Sequence, residues 1–162
     1  LFFQLSEFET AKDLIKKAIE LDGSAPEGWT QLALCELNLN NLPASIEAIN
    51  QSLERHPSPE AKKLKGKILY LAERHEQALT EFEQLLKDDP EDLYLMQCAA
   101  ICHHKLGNAD SARIMYDRIL ELDPDNEIAK GNISAMSSPE GKQLEEQNEI
   151  SDLAFSISRI AA

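Results

Sequence analysis

Two stretches decide how the rest of the chain is read: AERHEQALTEFEQLLKDDP (72–90) and LGNADSARIMYDRILELDP (106–124). Laid one on the other, they match column by column at a spacing of 34 residues. Ala78, Phe82 and Leu85 stand over Ala112, Tyr116 and Ile119, and Pro90 stands over Pro124. Steps of four and then three residues put each trio on one face of an α-helix. The small leading residue lets a neighbouring helix come close, and the two larger ones fill the space beyond. Each proline marks a helix that has ended, because it lacks an amide hydrogen and clashes with the preceding turn.

Working outward, the same columns recur. IELDG (19–23), LERHP (53–57), LKDDP (86–90) and LELDP (120–124) end 34, 33 and 34 residues apart. Ala11, Ile15 and Ala18 form an earlier trio, and Ser45, Ile49 and Ser52 another. Upstream of each full trio lies a second helical stripe. Trp29, Leu32, Ala33 and Leu37 form the first, and Leu64, Ile68, Leu69 and Leu71 the second. Met96, Ala99, Ala100 and His103 form the third. Asn40-Asn41, Glu73-Arg74 and Gly107-Asn108 fall where the paired helices must turn. Each unit is therefore a helical hairpin of about 34 residues.

That period resembles the tetratricopeptide repeat, and several residues carry the likeness. Trp29 followed by Leu32-Ala33 is similar to the family's opening motif. Leu106-Gly107-Asn108 followed by Ala112, Tyr116 and Pro124 is similar to its second half, and Gly66 stands where the family favours a small residue. The resemblance covers residues 1 to about 136. It implies an all-α fold, a right-handed α-solenoid of antiparallel helix pairs with a C-terminal helix. The expected organisation is a partial repeat over 1–25 and full repeats over about 26–58, 59–92 and 93–126. An extra helix over 126–136 follows, then a linker and amphipathic helix over 137–162. Leu1–Leu5 is expected to be the tail of a first helix whose beginning is missing. Glu36 and His103 depart from the family's tyrosine, Lys62 from its bulky residue, and Ser45 and Ser52 from its alanines. The unit one residue short leaves the register around 60–72 open.

Composition bounds the function. The chain has 162 residues, 43% of them apolar, and a net charge of −13. It has enough apolar content for a core. It lacks the roughly 20-residue apolar run that a membrane helix needs. The acidity disfavours nucleic acid and anionic lipid as partners. Three cysteines without a CxxC pair argue against a disulfide scaffold and favour a reducing, cytoplasmic setting.

No nucleophile, phosphate-binding or zinc-protease motif is present, so the chain reads as non-catalytic, with no cofactor. Cys98, Cys102, His103 and His104 form the one cluster with metal-ligand spacing. Cys35 occupies the same repeat position as Cys102, which makes these cysteines read as small core residues and no metal site is assigned.

In tetratricopeptide proteins the first helix of each pair lines a concave groove. The resemblance places Thr30, Leu34, Leu37 and Asn38 on that wall, then Lys63, Lys67, Tyr70 and Leu71, then Tyr94, Gln97, Ile101, His104 and Lys105. Residues 58–90 carry six basic and seven acidic side chains, so this part is nearly balanced within an acidic chain. The expected partner is a protein or peptide segment with an apolar anchor on Leu34, Leu37 and Tyr70. Its acidic side chain or terminal carboxylate meets Lys63, Lys67 and Lys105. The family's Lys–Asn–Arg carboxylate clamp is absent, since Thr30, Leu34, Leu64, Tyr94 and Cys98 stand at its places.

Two other readings stay open. The segment is a regulatory or targeting part of a larger enzyme, or a self-associating structural protein. Self-association would use the Phe2/Phe3 end or the apolar stripe of 150–161, in which Ile150, Leu153, Ala154, Ile157 and Ile160 recur at helical spacing.

Overall fold

The computed structural model describes residues 2–137. The amphipathic helix expected within 139–162 lies outside them, as do the side chains of Phe2 and Phe3. The described residues are all-α and contain no strand. They fall into two compact units divided after Asp88. The first holds α1 (Phe2–Leu21), α2 (Pro26–Asn38), α3 (Leu42–Arg55), α4 (Pro59–Leu71) and α5 (His75–Asp88). The second holds α6 (Leu93–Lys105), α7 (Ala109–Leu122) and α8 (Glu127–Met136).

Three hairpins repeat one plan: a first helix of 13 residues, a three-residue turn and a second helix of 14 residues. The starts are set by chemistry at the helix ends. Ser58, Asp92 and Asn126 each accept a hydrogen bond from the amide three residues on, at 3.0–3.1 Å, which satisfies a donor with no partner inside the helix. Pro26 and Pro59 occupy the first position of α2 and α4, where a missing amide costs nothing. The turns are three copies of one cap. Asn40, Glu73 and Gly107 have φ of 58°, 58° and 79°. Each donates its amide three residues back, and the next residue donates five back, closing a Schellman motif.

This plan locates the missing residue. Helix and turn lengths are constant across the hairpins, but three residues join α3 to α4 while four join α5 to α6 and α7 to α8. The shortfall lies in the linker 56–58, and α4 keeps the register of α2.

The seam inside each hairpin is the core of the repeat. Ala33, Ser45 and Ile49 are fully buried in the first, Ala78 and Phe82 in the second, and Ala100, Ala112 and Tyr116 in the third. In the first hairpin the seam is partly polar. Ser45 Oγ donates to the Ala33 carbonyl at 2.7 Å, and the hydroxyls of Thr30 and Ser52 lie 2.7 Å apart. In the second it leaves no room for a methyl: a Cβ built on Gly66 would sit 2.6 Å from Cε1 of Phe82.

One expectation is overturned. Residues 2–5 are not the tail of a separate first helix; Phe2–Leu21 is one continuous helix of 20 residues. Ser6 stands where the hairpins place their left-handed turn residue, and no glycine or proline interrupts 1–22.

Two outcomes follow. Glu73 carries a left-handed backbone that disfavours L side chains by roughly 1–2 kcal/mol. Glu73→Gly should raise the melting temperature by a few degrees, whereas Gly107→Ala should lower it by a similar amount although open space surrounds the new methyl. Gly66→Ala should cost about 1–3 kcal/mol by overpacking against Phe82, read from the denaturation midpoint, and Phe82→Leu in the same chain should recover part of that loss.

Candidate functional site

Each unit is described separately. In the first, the groove-lining candidates lie on α2 and α4. Leu34 and Asn38 are half-buried, and the Asn38 side-chain amide donates to the Leu34 carbonyl at 2.7 Å. Lys63 is half-buried. Leu37 and Tyr70 are each 8% exposed and Lys67 5%. The Tyr70 ring lies 5.1 Å from that of His75, tilted by 47°. In the second unit, Tyr94, Gln97 and His104 on α6 are half-buried, Ile101 is 6% exposed and Lys105 is exposed.

The set is therefore less open than its residue types suggest. Buried residues surround almost the whole of α4: Ala61, Leu64 and Ile68 on one side, Gly66 and Leu69 on a second, Lys67 and Tyr70 on a third. Lysine and tyrosine hide this in a sequence, because each combines a long apolar stem with a polar tip.

Other features were not legible in the periodicity. The Gly23 carbonyl accepts from the Trp29 indole at 2.9 Å and from Arg55 Nε at 2.5 Å. The Arg55 guanidinium lies 4.7 Å from the Trp29 ring centroid, in cation–π geometry. Together they fix the joint between α1 and α2 against the end of α3. Glu36, which departs from the family's tyrosine, is buried and accepts from Asn41 Nδ2 at 2.9 Å. Asn41, five residues on, is the signal that could have found this pair. A cleft of about 250 Å³ is lined by Pro26, Thr30, Gln31, Ser52, His56 and Ser58. A polar one of about 290 Å³ includes Asn50, Arg74, Gln77 and Thr80, with Lys65 and Glu81 paired at 2.8 Å.

Two acids on these first helices are displaced upward. Burial, followed by the neighbouring Glu36 charge, pushes the Cys35 thiol up. Burial pushes the Tyr94 phenol well above its ordinary range, with Cys98 adding to the shift. Activation of a nucleophile requires the opposite direction. None of the three cysteines is in a disulfide, and among the described residues no group of three or more His, Cys, Asp or Glu has the arrangement to hold a metal ion. No described helix is long and apolar enough to cross a membrane.

Known proteins give the same architecture. One tetratricopeptide-repeat family model matches residues 69–132, and a second matches 1–60 and 36–92. Among solved structures, the chain is similar to YrrB, described as a tetratricopeptide protein with an unusual peptide-binding site. Identity is 19% and the TM-score 0.71, over 80% of this chain and 67% of that one. MamA from Desulfovibrio magneticus aligns with a TM-score of 0.73 at 15% identity, over 95% of this chain and 85% of that one. The first tetratricopeptide repeat of Spaghetti (RPAP3), bound to the HSP90 peptide SRMEEVD, aligns with a TM-score of 0.62 at 14% identity, over 72% of this chain and 93% of that one. With 34-residue hairpins, repeated Schellman turns and family matches spanning residues 1–132, the chain belongs to the tetratricopeptide repeat family.

Proposed function

We propose that this chain is a non-catalytic interaction module that binds a peptide or helix of a partner protein on the inner faces of its first helices. In the first unit the receiving residues are Leu34, Leu37, Asn38, Lys63, Lys67 and Tyr70. In the second they are Tyr94, Gln97, Ile101, His104 and Lys105. The observation that carries the reading is where the bases lie: in a chain of net charge −13, α4 concentrates Lys62, Lys63, Lys65 and Lys67 on one first helix, and the other full first helix of the same unit, α2, carries the apolar Leu34 and Leu37. An apolar anchor with a flanking carboxylate fits that pairing, since the anchor contributes burial and the charge-assisted hydrogen bond fixes its direction. Two of the similar folds, YrrB and the repeat of RPAP3, are described with peptides, which supports the mode without naming this partner. Three cysteines, none in a disulfide, support a cytoplasmic setting.

The test uses substitutions that spare the core. Tyr70→Ala and Lys67→Glu both strike buried side chains, so either is expected to unfold the hairpin as well as disturb binding. Lys63 is half-buried and separates the two effects. After affinity capture and mass spectrometry identify a partner segment, Lys63→Glu should weaken its binding by roughly tenfold, about 1.4 kcal/mol, with an unchanged circular dichroism spectrum. Unchanged affinity in that variant would remove α4 from the site.

A further inference from the structure

We infer that α1 is a self-association surface: two copies of this chain pair through it, antiparallel, about a two-fold axis that passes between Lys12 and Asp13. None of the groove residues lies on α1, so the inference goes beyond the peptide-binding reading and does not rest on it.

The argument starts with exposure. In every full hairpin the columns of Ala11, Leu14 and Ala18 are turned to the first helix. Ser45, Ala78 and Ala112 fill the first column and Ser52, Leu85 and Ile119 the third, all buried. The middle column holds Ala48, which is buried, Glu81, which pairs with Lys65 of α4 at 2.8 Å, and Met115, which is half-buried. In α1 the same side is open: Leu14 is 62% exposed, Leu21 90%, and Ala18 is exposed as well. The side turned to α2 is a different one. It is marked by Ile19, whose Cγ1 lies 3.2 Å from a Cβ built on Gly28. At 100° per residue, Ile19 stands about 140° round the helix from Leu14.

A hairpin does not supply the cover. Residues 5–7 occupy the columns of the three turns at 39–41, 72–74 and 106–108, and α1 runs through them as helix. The spacing on the open side shows what kind of element fits. Ala11, Leu14, Ala18 and Leu21 follow at steps of three, four and three, the seam of a two-stranded helix pair. Alanines hold one seam position and leucines the other. A second α1 laid antiparallel sets Leu14 of each copy on Ala11 of the other. Large meets small at both contacts, as it does between Phe82 and Gly66 inside the second hairpin. The overlap covers residues 4–21, about 27 Å of helix. On the flank nearer α2 it brings Phe8 of one copy beside Ile15 of the other, and each is half-buried within a single copy.

Charge selects a second copy and its direction. Glu7 continues the leucine position of the seam one heptad earlier, Lys17 flanks the seam near its other end, and both are exposed. In the antiparallel register Glu7 of one copy lies over Ala18 of the other, a small residue that leaves room for it, with Lys17 alongside. The two-fold axis makes that pairing twice. A parallel pair would set Glu7 on Glu7 inside the seam, a like-charge contact. The same helix thus carries both halves of its own complement, which an apolar stripe awaiting an unrelated helix has no reason to do.

Sedimentation equilibrium of the full chain, from micromolar to millimolar concentration, tests this. The expected result is a reversible monomer–dimer equilibrium. Leu14→Glu should weaken it by on the order of a hundredfold, because the lost burial counts twice across the axis, with an unchanged circular dichroism spectrum. Glu7→Lys and Lys17→Glu should each weaken it by roughly tenfold, and the two together in one chain should restore it. A chain that stays monomeric at every concentration would overturn the inference. So would a dimer that survives Leu14→Glu, which places the contact on another face. A dimer indifferent to both single charge reversals would also overturn it, since only the antiparallel register joins Glu7 to Lys17. If Leu14→Glu loses helicity, the charge series decides alone. Binding of another protein's helix by a monomeric chain, abolished by Leu14→Glu, would assign the face to that partner and overturn the inference.

Discussion

Close approach of two backbones inside each hairpin is the constraint on which the rest depends. At Ala33, Gly66 and Ala100 the first helix carries almost no side chain, and the second helix fills the room with Ile49, Phe82 or Tyr116. The volumes trade across the seam: the smallest partner, Gly66, stands opposite a phenyl ring. Interiors packed to this density leave little slack, so the seam sets the helix separation and with it the placement of every residue on the first helices.

A single hairpin cannot bury both faces of its helices, and α1 shows what that means. In α1 the trio Ala11, Ile15 and Ala18 occupies the same columns as residues buried in every full hairpin. There, without a first helix of its own repeat, Ala11 and Ile15 are half-buried and Ala18 is exposed. Leu14 and Leu21 on the same helix are also exposed. The family's architecture gains stability from neighbouring repeats, and the columns read identically in sequence whether or not the neighbour is present.

That distinction separates what was legible from what was not. The hairpins, their prolines and the turns at Asn40, Glu73 and Gly107 follow from a period shared by several columns. The continuous α1 was missed because a period says where a turn would fall and not whether one forms; Ser6 offers the chain no reason to turn. The burial of Lys67 and Tyr70 was missed because side-chain type predicts exposure only on average, and α4 is covered almost all round. The union of Trp29, Arg55 and the Gly23 carbonyl joins residues 32 apart through one oxygen, a contact that no periodic pattern encodes.

The turn cap has a wider consequence. Its hydrogen bonds run from fixed positions to fixed positions, so a hairpin built on it tolerates no gain or loss of a residue between its helices. The joints between hairpins carry no such closed ring, and that is where this chain is three residues long in one place and four in another. Length variation in a protein of this design is thereby channelled to the joints.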